Sequence, residues 1–273
     1  MVAVAQAATR SAPRRKARGW SIVLEQELRD LWLGGRGLLL SLAFSLLLSI
    51  IAYLVATNTA LNFLEARESV NLTLQVAIAV GGLLALVAAA DAVSGERERG
   101  TLETMLLTPV ARIQVTGAKL LAAFSLWVVA FAITIPYVWF LGRGVGVVGD
   151  TLVTGIVVGT LLAVFLASLG IVVSLFSGTN RVSLSLSMFI VLALFAPTQL
   201  PSSAQQGWAG DLLLRINPMT AGLHYVGKIV TNGHNWTQDV SWLISPLVAA
   251  GVFAIAAPLL GARYLRLRAG DSR

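Results

Sequence analysis

Residues 222–229 have the glycine and lysine spacing of a phosphate-binding loop. Gly222, Gly227 and Lys228 stand where such a loop carries its two glycines and its lysine. The next residue is Ile229, whereas a nucleotide-binding loop has a Ser or Thr there, whose hydroxyl reaches magnesium. No predicted β-strand precedes the stretch, although a phosphate-binding loop follows one. We therefore expect no nucleotide-binding site in this chain.

The chain has two histidines, His224 and His234, and no cysteine. A metal site would need further ligands nearby, and Asp211 and Asp239 are the only candidates in this region. We therefore interpret the histidines as loop residues near lipid headgroups and expect no metal. The absence of cysteine excludes disulfides, zinc-thiolate sites and cysteine nucleophiles. The apolar stretches carry neither a pair of acids nor a Ser-His-Asp set, so we expect no catalytic residues.

A polar segment at residues 91–119 interrupts a very apolar sequence and carries four acids and four bases. Its balanced charge between two apolar runs predicts a location at the membrane surface. Gly100 should interrupt a first short helix, and Thr101 can cap a second one with Glu103 in its first turn. Pro109 should end the second helix. The acids and bases are Asp91, Glu96, Glu98 and Glu103, and Arg97, Arg99, Arg112 and Lys119.

The helical periodicity of this segment separates an apolar face from a polar one. Leu102, Met105 and Leu106 fall on one side, which should anchor the segment to the protein's own apolar surface. The charged side chains should then face water or a partner. They are Glu96, Arg97, Glu98, Arg99 and Glu103.

Composition identifies an integral membrane protein. The 273 residues are 56% hydrophobic and 12% charged, whereas soluble domains are about 25% charged. Six apolar runs are long enough, or in one case nearly long enough, to cross a bilayer as helices. We therefore predict an all-α membrane domain at residues 38–263. The predicted spans are residues 38–57, 72–90, 120–141, 151–176, 182–197 and 242–262.

The distribution of positive charge predicts the orientation of the spans. The net charge is +7, and 16 of the 20 Lys and Arg residues lie at the two termini or in alternate connections that include residues 91–119. This bias is typical of segments on the cytosolic side. Both termini and residues 91–119 should therefore be cytosolic. Because topology accounts for the positive charge, we expect no nucleic-acid partner.

The flanking segments contact the membrane in this interpretation. Residues 1–37 combine a basic arm with an amphipathic helix at residues 19–34, which should lie along the inner leaflet. The arm resembles a transit peptide in composition, but retention by anionic lipid explains it equally well. Glu27 falls within the helix's apolar arc, where it either reaches water or a local partner or has a mechanistic role. Residues 264–273 form a basic cytosolic tail.

The long connection at residues 201–241 should be external and contain two short helices, at 211–216 and 219–230, before the last span. The fifth span carries Ser183, Ser185 and Ser187. These hydroxyls either bond to backbone carbonyls within the helices or line a pathway. Gly155 and Gly159 indicate close helix packing, within the subunit or across a dimer.

Residues 95–103, GERERGTLE, followed by LLTPV at 106–110 and GAKL at 117–120, resemble the cytosolic loop of ABC-2 type ABC transporter permeases. The similarity is close over this loop and extends to most of the chain through the number and order of spans. In that family the loop forms a coupling helix that docks into a separate ATPase subunit. The resemblance implies that ATP and magnesium bind to that partner and that residues 94–109, including Thr101 and Pro109, contact it.

The resemblance implies the permease subunit of an ATP-driven exporter in a bacterial or archaeal cytoplasmic membrane. It also implies pairing with a second permease, either an identical copy or a paralogue. An apolar pathway dotted with serines favours an amphipathic, lipid-like or drug-like cargo. The alternatives are an integral membrane enzyme that modifies lipids and an ATP-independent transporter. The first would need clustered acids and histidines, and an ion-coupled transporter usually needs carboxylates at mid-depth.

Overall fold

The computed structural model describes residues 14–57, 63–103, 107, 110–199 and 207–265. These residues are almost entirely helical and contain no β-strand. The basic arm up to residue 13, most of the tail, and Met105, Leu106 and Pro109 lie outside the described residues. The helices are α1 (Arg14–Trp32), α2 (Arg36–Thr57), α3 (Phe63–Arg99), α4 (Arg112–Gly142), α5 (Val148–Phe176), α6 (Asn180–Phe195), α7 (Trp208–Ile216), α8 (Pro218–Val230) and α9 (Ile244–Tyr264).

Six helical segments of the described chain are long and apolar enough to cross a membrane. They correspond to α2, α3, α4, α5, α6 with the short 3-10 turn after it, and α9 with the 3-10 turn before it. This confirms the predicted all-α class and the six spans, and the protein is a multi-pass membrane protein.

Helix α3 differs most from the sequence-based expectation. It begins at Phe63 and ends at Arg99, well beyond the predicted span at residues 72–90. Residues 91–99 are therefore the last turns of a spanning helix and not a separate surface helix. Because α4 already begins at Arg112, the connection between the two helices comprises only residues 100–111.

Gly100 ends α3 in a defined way. Its φ of 71° lies in the left-handed region, which glycine adopts without strain. The N–H of Gly100 donates to the carbonyl of Arg97 (3.3 Å), and the N–H of Thr101 donates to that of Glu96 (3.0 Å). This pair of bonds is a Schellman motif, which satisfies carbonyls that the helix end would leave unpaired. The prediction that Gly100 interrupts a helix is thus confirmed.

Helices α3, α4 and α5 form the centre of the bundle. Their close approach depends on glycines, because a Cβ on Gly159 would lie 2.3 Å from the indole of Trp127 and one on Gly155 would lie 2.8 Å from Leu74. The two glycines of α5 therefore serve packing within this chain, which was one of the two predicted possibilities. By contrast, α2 and α9 leave most of their apolar side chains exposed, as lipid-facing helices do.

Helices α7 and α8 lie between α6 and α9 in the sequence, close to the predicted positions of two short helices. Asn217 separates them, and its side-chain oxygen accepts hydrogen bonds from the N–H groups of Met219 (3.0 Å) and Thr220 (3.5 Å). Pro218 occupies the first helical position, where a missing N–H costs nothing. The end of the bundle near these helices is called here the opposite end, and the end that carries residues 91–119 is called the charged end.

Candidate functional site

Lys119 of α4 connects three helices at the charged end. Its side chain is only 1% exposed, and its Nζ donates to Glu27 Oε1 of α1 (2.6 Å) and to Glu96 Oε1 of α3 (2.5 Å). Burying a charge costs several kcal/mol unless an opposite charge and hydrogen bonds offset the loss of water. Burial raises the pKa of the Glu27 carboxyl, and the nearby Lys119 opposes that shift. The buried base is thus paired with two partly buried carboxyl groups.

Asp91 of α3 forms a second ionic contact, with α2. Its Oδ2 accepts a hydrogen bond from Arg36 Nη1 (2.5 Å) and lies 3.8 Å from Nη2 of Arg99. The Asp91 side chain is 5% exposed. Gly95, one turn further along α3, makes room for it, because a Cβ there would lie 2.2 Å from Asp91 Oδ1. A glycine at this position is thus required for the carboxylate to lie against its own helix.

Arg97 and Glu98 bind the adjoining ends of α5 and α6. The guanidinium of Arg97 donates to the backbone carbonyls of Ser177 and Leu175 (3.3 Å for Leu175) at the C-terminal end of α5. Glu98 Oε2 accepts from the N–H of Asn180, the first residue of α6 (3.0 Å). A base thus meets the carbonyl end of one helix and an acid meets the N–H end of the next, as the helix dipoles favour.

The three serines of α6 do not share one face. Ser183 and Ser187 are buried, whereas Ser185 is exposed. Ser183 donates to the carbonyl of Ala90 in α3 (2.7 Å), so its hydroxyl bonds a backbone carbonyl but joins two helices in doing so. The lining of a pathway by Ser183, Ser185 and Ser187 stays a prediction, and the three side chains do not share one environment.

The residues predicted to contact a partner divide into two groups. Glu96 and Arg97 point inward and bond to other helices, contrary to the expectation that they face water or a partner. Glu98, Arg99, Thr101 and Glu103 are exposed. Leu102, a predicted anchor, is 9% exposed and packs in an apolar cluster formed by α3, α4, α5 and α9.

Sequence reasoning missed the contacts of Lys119 and Asp91. A usable signal was present, because Glu27 lies in an apolar arc and Lys119 directly precedes the apolar run that begins at Leu120. Charged side chains in such positions need partners of opposite sign. The pairing itself was not visible, since Glu27 and Lys119 are separated by 92 residues.

Other candidate residues lie at the opposite end. Asp239 accepts a hydrogen bond from Lys228 Nζ (2.7 Å) and lies 2.7 Å from His234 Nδ1. These hydrogen bonds lower the pKa of the Asp239 carboxyl, and the bond from Lys228 has the larger effect. Asp211 pairs with Arg215 (2.9 Å). Within the described residues no three His, Asp or Glu side chains converge on a metal position. Residues 222–229 belong to α8, so their backbone N–H groups face along a helix and form no phosphate-binding loop.

At the charged end, the C-terminal turns of α3 are connected to five other helices. The last turns of α3 carry side chains that contact α2, α4, α5 and α6 directly and α1 through Lys119. The connection that begins at Gly100 therefore follows a helix end that is joined to five other helices by hydrogen bonds and ion pairs.

Comparison with known families identifies the family of this chain. A family model described as ABC-2 family transporter protein matches residues 21–260, from α1 into α9. No curated protein matches the chain in sequence. The family match covers most of the chain and includes the whole charged end. The chain therefore belongs to the ABC-2 family of transporter proteins, whose members are the membrane permease subunits of ABC transporters.

Proposed function

We propose that this permease is the membrane subunit of an ATP-driven exporter and that a separate ABC ATPase subunit binds its charged end. The observation that carries the proposal is the division of residues 96–103 into two sets. Glu96 and Arg97 bond inward to neighbouring helices, while Glu98, Arg99, Thr101 and Glu103 remain exposed. One short segment thus offers polar groups to a partner and is joined to the spans behind it.

The charged end faces the cytosol in this proposal. The excess of Lys and Arg in the termini and in residues 91–119 supports this orientation, because positive segments are retained on the cytosolic side. ATP and magnesium would bind to the ATPase subunit. The membrane would be the cytoplasmic membrane of a bacterium or archaeon.

Closure of an ATPase pair would drive the transport movement. The ATPase would displace residues 100–111, and Glu98 and Arg97 would pass that displacement to α6 and α5. Glu96 would pass it through Lys119 to α4 and α1. Because packed helices shift as nearly rigid bodies, a small movement at this junction can change the alignment of whole spans.

The apolar contacts of the segment support the same role. Leu102 is buried against the spans, whereas Glu103 next to it is exposed. Such an anchor would keep the segment from detaching when the ATPase pulls on it. Met105 and Leu106, the other two predicted anchors, complete this face in the proposal, and Pro109 would end the coupling helix.

The exporter would contain two permeases, as an identical pair or with a paralogue, and cargo would pass between them. The large exposed apolar surfaces of α2, α6 and α9 offer room for both lipid and a second permease. Cargo would be an amphipathic or lipid-like molecule taken from the cytoplasm or the inner leaflet.

A charge reversal at Glu103 tests the docking role. Glu103 is exposed, so Glu103→Arg should leave folding intact. If the carboxylate faces a basic group of the ATPase, the reversal should reduce co-purification of that subunit by about tenfold or more, since like charges at an interface cost several kcal/mol. ATP hydrolysis that depends on the permease should fall in parallel.

Asp150→Arg is the matched control, because Asp150 is exposed and lies at the start of α5, away from the charged end. It changes the net charge equally and should leave the amount of bound ATPase unchanged. Equal loss of ATPase in both variants, or no loss with Glu103→Arg, would contradict docking through this segment.

A further inference from the structure

A cavity of about 410 Å³ lies between α3, the end of α6, α7 and α8, near the opposite end of the bundle. Its volume is in the range of small-molecule sites, which is about 300–1,000 Å³. Helix α3 contributes residues from Leu72 to Ala79 to one wall, and Thr198 lies in the turn after α6. The cavity therefore lies far along α3 from the charged end.

Most of the lining residues are apolar, and four are polar. The polar side chains are Gln75, Thr198, Thr220 and His224. An apolar wall with few polar groups is typical of sites that bind amphipathic molecules. The apolar residues are Leu72, Val76, Ala79, Phe195, Leu214 and Leu223.

Thr220 lines the cavity and, within the part of the chain that the structure describes, carries an unpartnered hydroxyl. It is 5% exposed, and its hydroxyl oxygen is covered by neighbouring atoms and has no hydrogen-bond partner among the described residues, so a ligand reaches it when the side chain rotates towards the cavity. A buried hydroxyl without a partner costs free energy. Gln75 lines the same cavity, and its Nε2 already donates to Asn71 Oδ1 (3.1 Å) and to the carbonyl of Leu223 (3.4 Å). Its side-chain carbonyl thus remains as an acceptor.

Among the residues that the structure describes, no Asp, Glu, Lys or Arg lines the cavity. Two bases near His224 already have acidic partners, since Arg215 pairs with Asp211 and Lys228 pairs with Asp239. Burial lowers the pKa of His224, so its ring is neutral at pH 7. A charged ligand group would therefore lose its water without gaining a counter-charge, which is unfavourable.

We propose that this cavity binds an uncharged amphipathic molecule, whose hydrogen-bonding group contacts Thr220 and Gln75 and whose apolar part packs against Val76 and Phe195. That this ligand is the exporter's cargo rests on the function proposed above. The chemistry of the cavity itself does not depend on ATPase coupling. Ions and molecules with ionised headgroups are thereby disfavoured as occupants of this site.

Two dyes of nearly the same shape separate uncharged from charged ligands. N-phenyl-1-naphthylamine is uncharged, and 1-anilinonaphthalene-8-sulfonate adds one sulfonate to the same ring system. Their binding would be measured by equilibrium dialysis against the full chain in lipid nanodiscs, with empty nanodiscs subtracted. The uncharged dye should bind saturably with one site per chain, and the sulfonate at least about tenfold more weakly because its charge has no partner.

Substitutions in the cavity test whether the uncharged dye binds there. Val76→Trp should abolish saturable binding by filling the space. Thr220→Val, which keeps the shape and removes the hydroxyl, should weaken binding by about three- to tenfold, and Thr220→Ser should retain it. Thr237→Val is the control, because Thr237 is exposed at the same end and does not line the cavity. Equal affinity for both dyes, or binding that Val76→Trp and Thr220→Val leave unchanged, would overturn the proposal.

A transport measurement separates this proposal from the exporter function. Vesicles that contain the permease with its ATPase should extrude N-phenyl-1-naphthylamine when ATP is added, and Val76→Trp should abolish extrusion without affecting ATPase binding. Saturable binding without extrusion would support the cavity as a binding site for the dye and overturn its role as a site for exported cargo. Loss of ATPase docking in Glu103→Arg leaves dye binding intact, so the two proposals fail independently.

Discussion

Lys119 shows how a single buried base organises the charged end. It neutralises part of the charge of Glu27 and Glu96, which come from two different helices. Exposed pairs have no comparable effect, because water already solvates both partners. The Arg29–Glu25 pair on α1 is of that kind, with side chains that are 67% and 61% exposed.

Removing the Lys119 base should destabilise the protein strongly. In Lys119→Met the side chain keeps its length and apolar stem but leaves two partly buried carboxylates without their cation, a loss of about 3–5 kcal/mol. Arg29→Met should cost at most about 1 kcal/mol, since it breaks an exposed pair. Unfolding in detergent, followed by circular dichroism, measures both changes.

A second substitution tests the cause. Adding Glu27→Gln to Lys119→Met removes one of the uncompensated charges and should restore part of the lost stability. If Lys119→Met costs no more than Arg29→Met, or if the double variant is less stable than the single one, the buried triad does not stabilise the fold as described.

Asp239 gives the opposite end a defined acid sensitivity. Hydrogen bonds from Lys228 and His234 lower the pKa of its carboxyl below the ordinary value of 3.8, so the native state holds the carboxylate more tightly than the unfolded chain does. This stabilisation is present above pH 3.8 and is lost as the pH falls through the lowered native pKa. Asp239→Asn should therefore unfold at a lower temperature than the wild type at pH 5, and the difference should shrink towards pH 3. A difference that stays constant over this range would contradict the assignment.

At the scale of elements, α3 shows why the sequence analysis predicted a surface helix at residues 91–99, where the structure has the end of a spanning helix. Hydropathy detects only the apolar middle of a helix, whereas Glu and Arg are good helix formers and continue it into water. With 37 residues at about 1.5 Å per residue, α3 is about 55 Å long. That exceeds the hydrocarbon core of about 30 Å, so the helix projects beyond the core as a rigid arm. In the proposed mechanism this rigidity lets residues 91–99 transmit a displacement.

The packing of α5 on α4 and α3 depends on Gly159. A methyl group there would overlap the Trp127 indole at 2.3 Å, and Ile78 lies 3.3 Å away on the other side. Gly159→Ala should therefore cost about 1–3 kcal/mol, as overpacking of a core does. Adding Trp127→Leu should restore part of the stability by opening the space. Thermal unfolding in detergent gives both values.

Gly251 provides the matched control. It also lies within a spanning helix, α9, but a Cβ there meets no atom within 4 Å. Gly251→Ala should be neutral or slightly stabilising, because alanine favours the helix by up to about 1 kcal/mol over glycine. Equal losses at Gly159 and Gly251 would show that helix propensity, and not the contact with Trp127, determines the cost.

At the scale of the whole molecule, the six spans were predictable because each one satisfies its backbone hydrogen bonds internally and must be apolar over a bilayer's thickness. The arrangement of the helices in the bundle was not predictable from the sequence. Side chains such as Trp127 and Lys119 meet partners on helices far away in sequence, and no local pattern encodes those contacts. The same reason explains why the exposed part of the charged end was foreseen and its ionic junction was not.

The six spans determine which segments share a side of the membrane. Glu103 follows the second span and Thr237 follows the fifth, so the two must lie on opposite sides if all six helices cross. Because the chain has no cysteine, single cysteines can report each position without background. In the proposed orientation, Glu103→Cys should react with a membrane-impermeant maleimide only in inside-out vesicles, and Thr237→Cys only in intact cells. Ser168→Cys, buried in α5, should react only after denaturation and so controls for leakage and unfolding. Labelling of both exposed positions from one side would contradict the six-span topology, and a reversed pattern would place the charged end outside and remove it from the reach of a cytosolic ATPase.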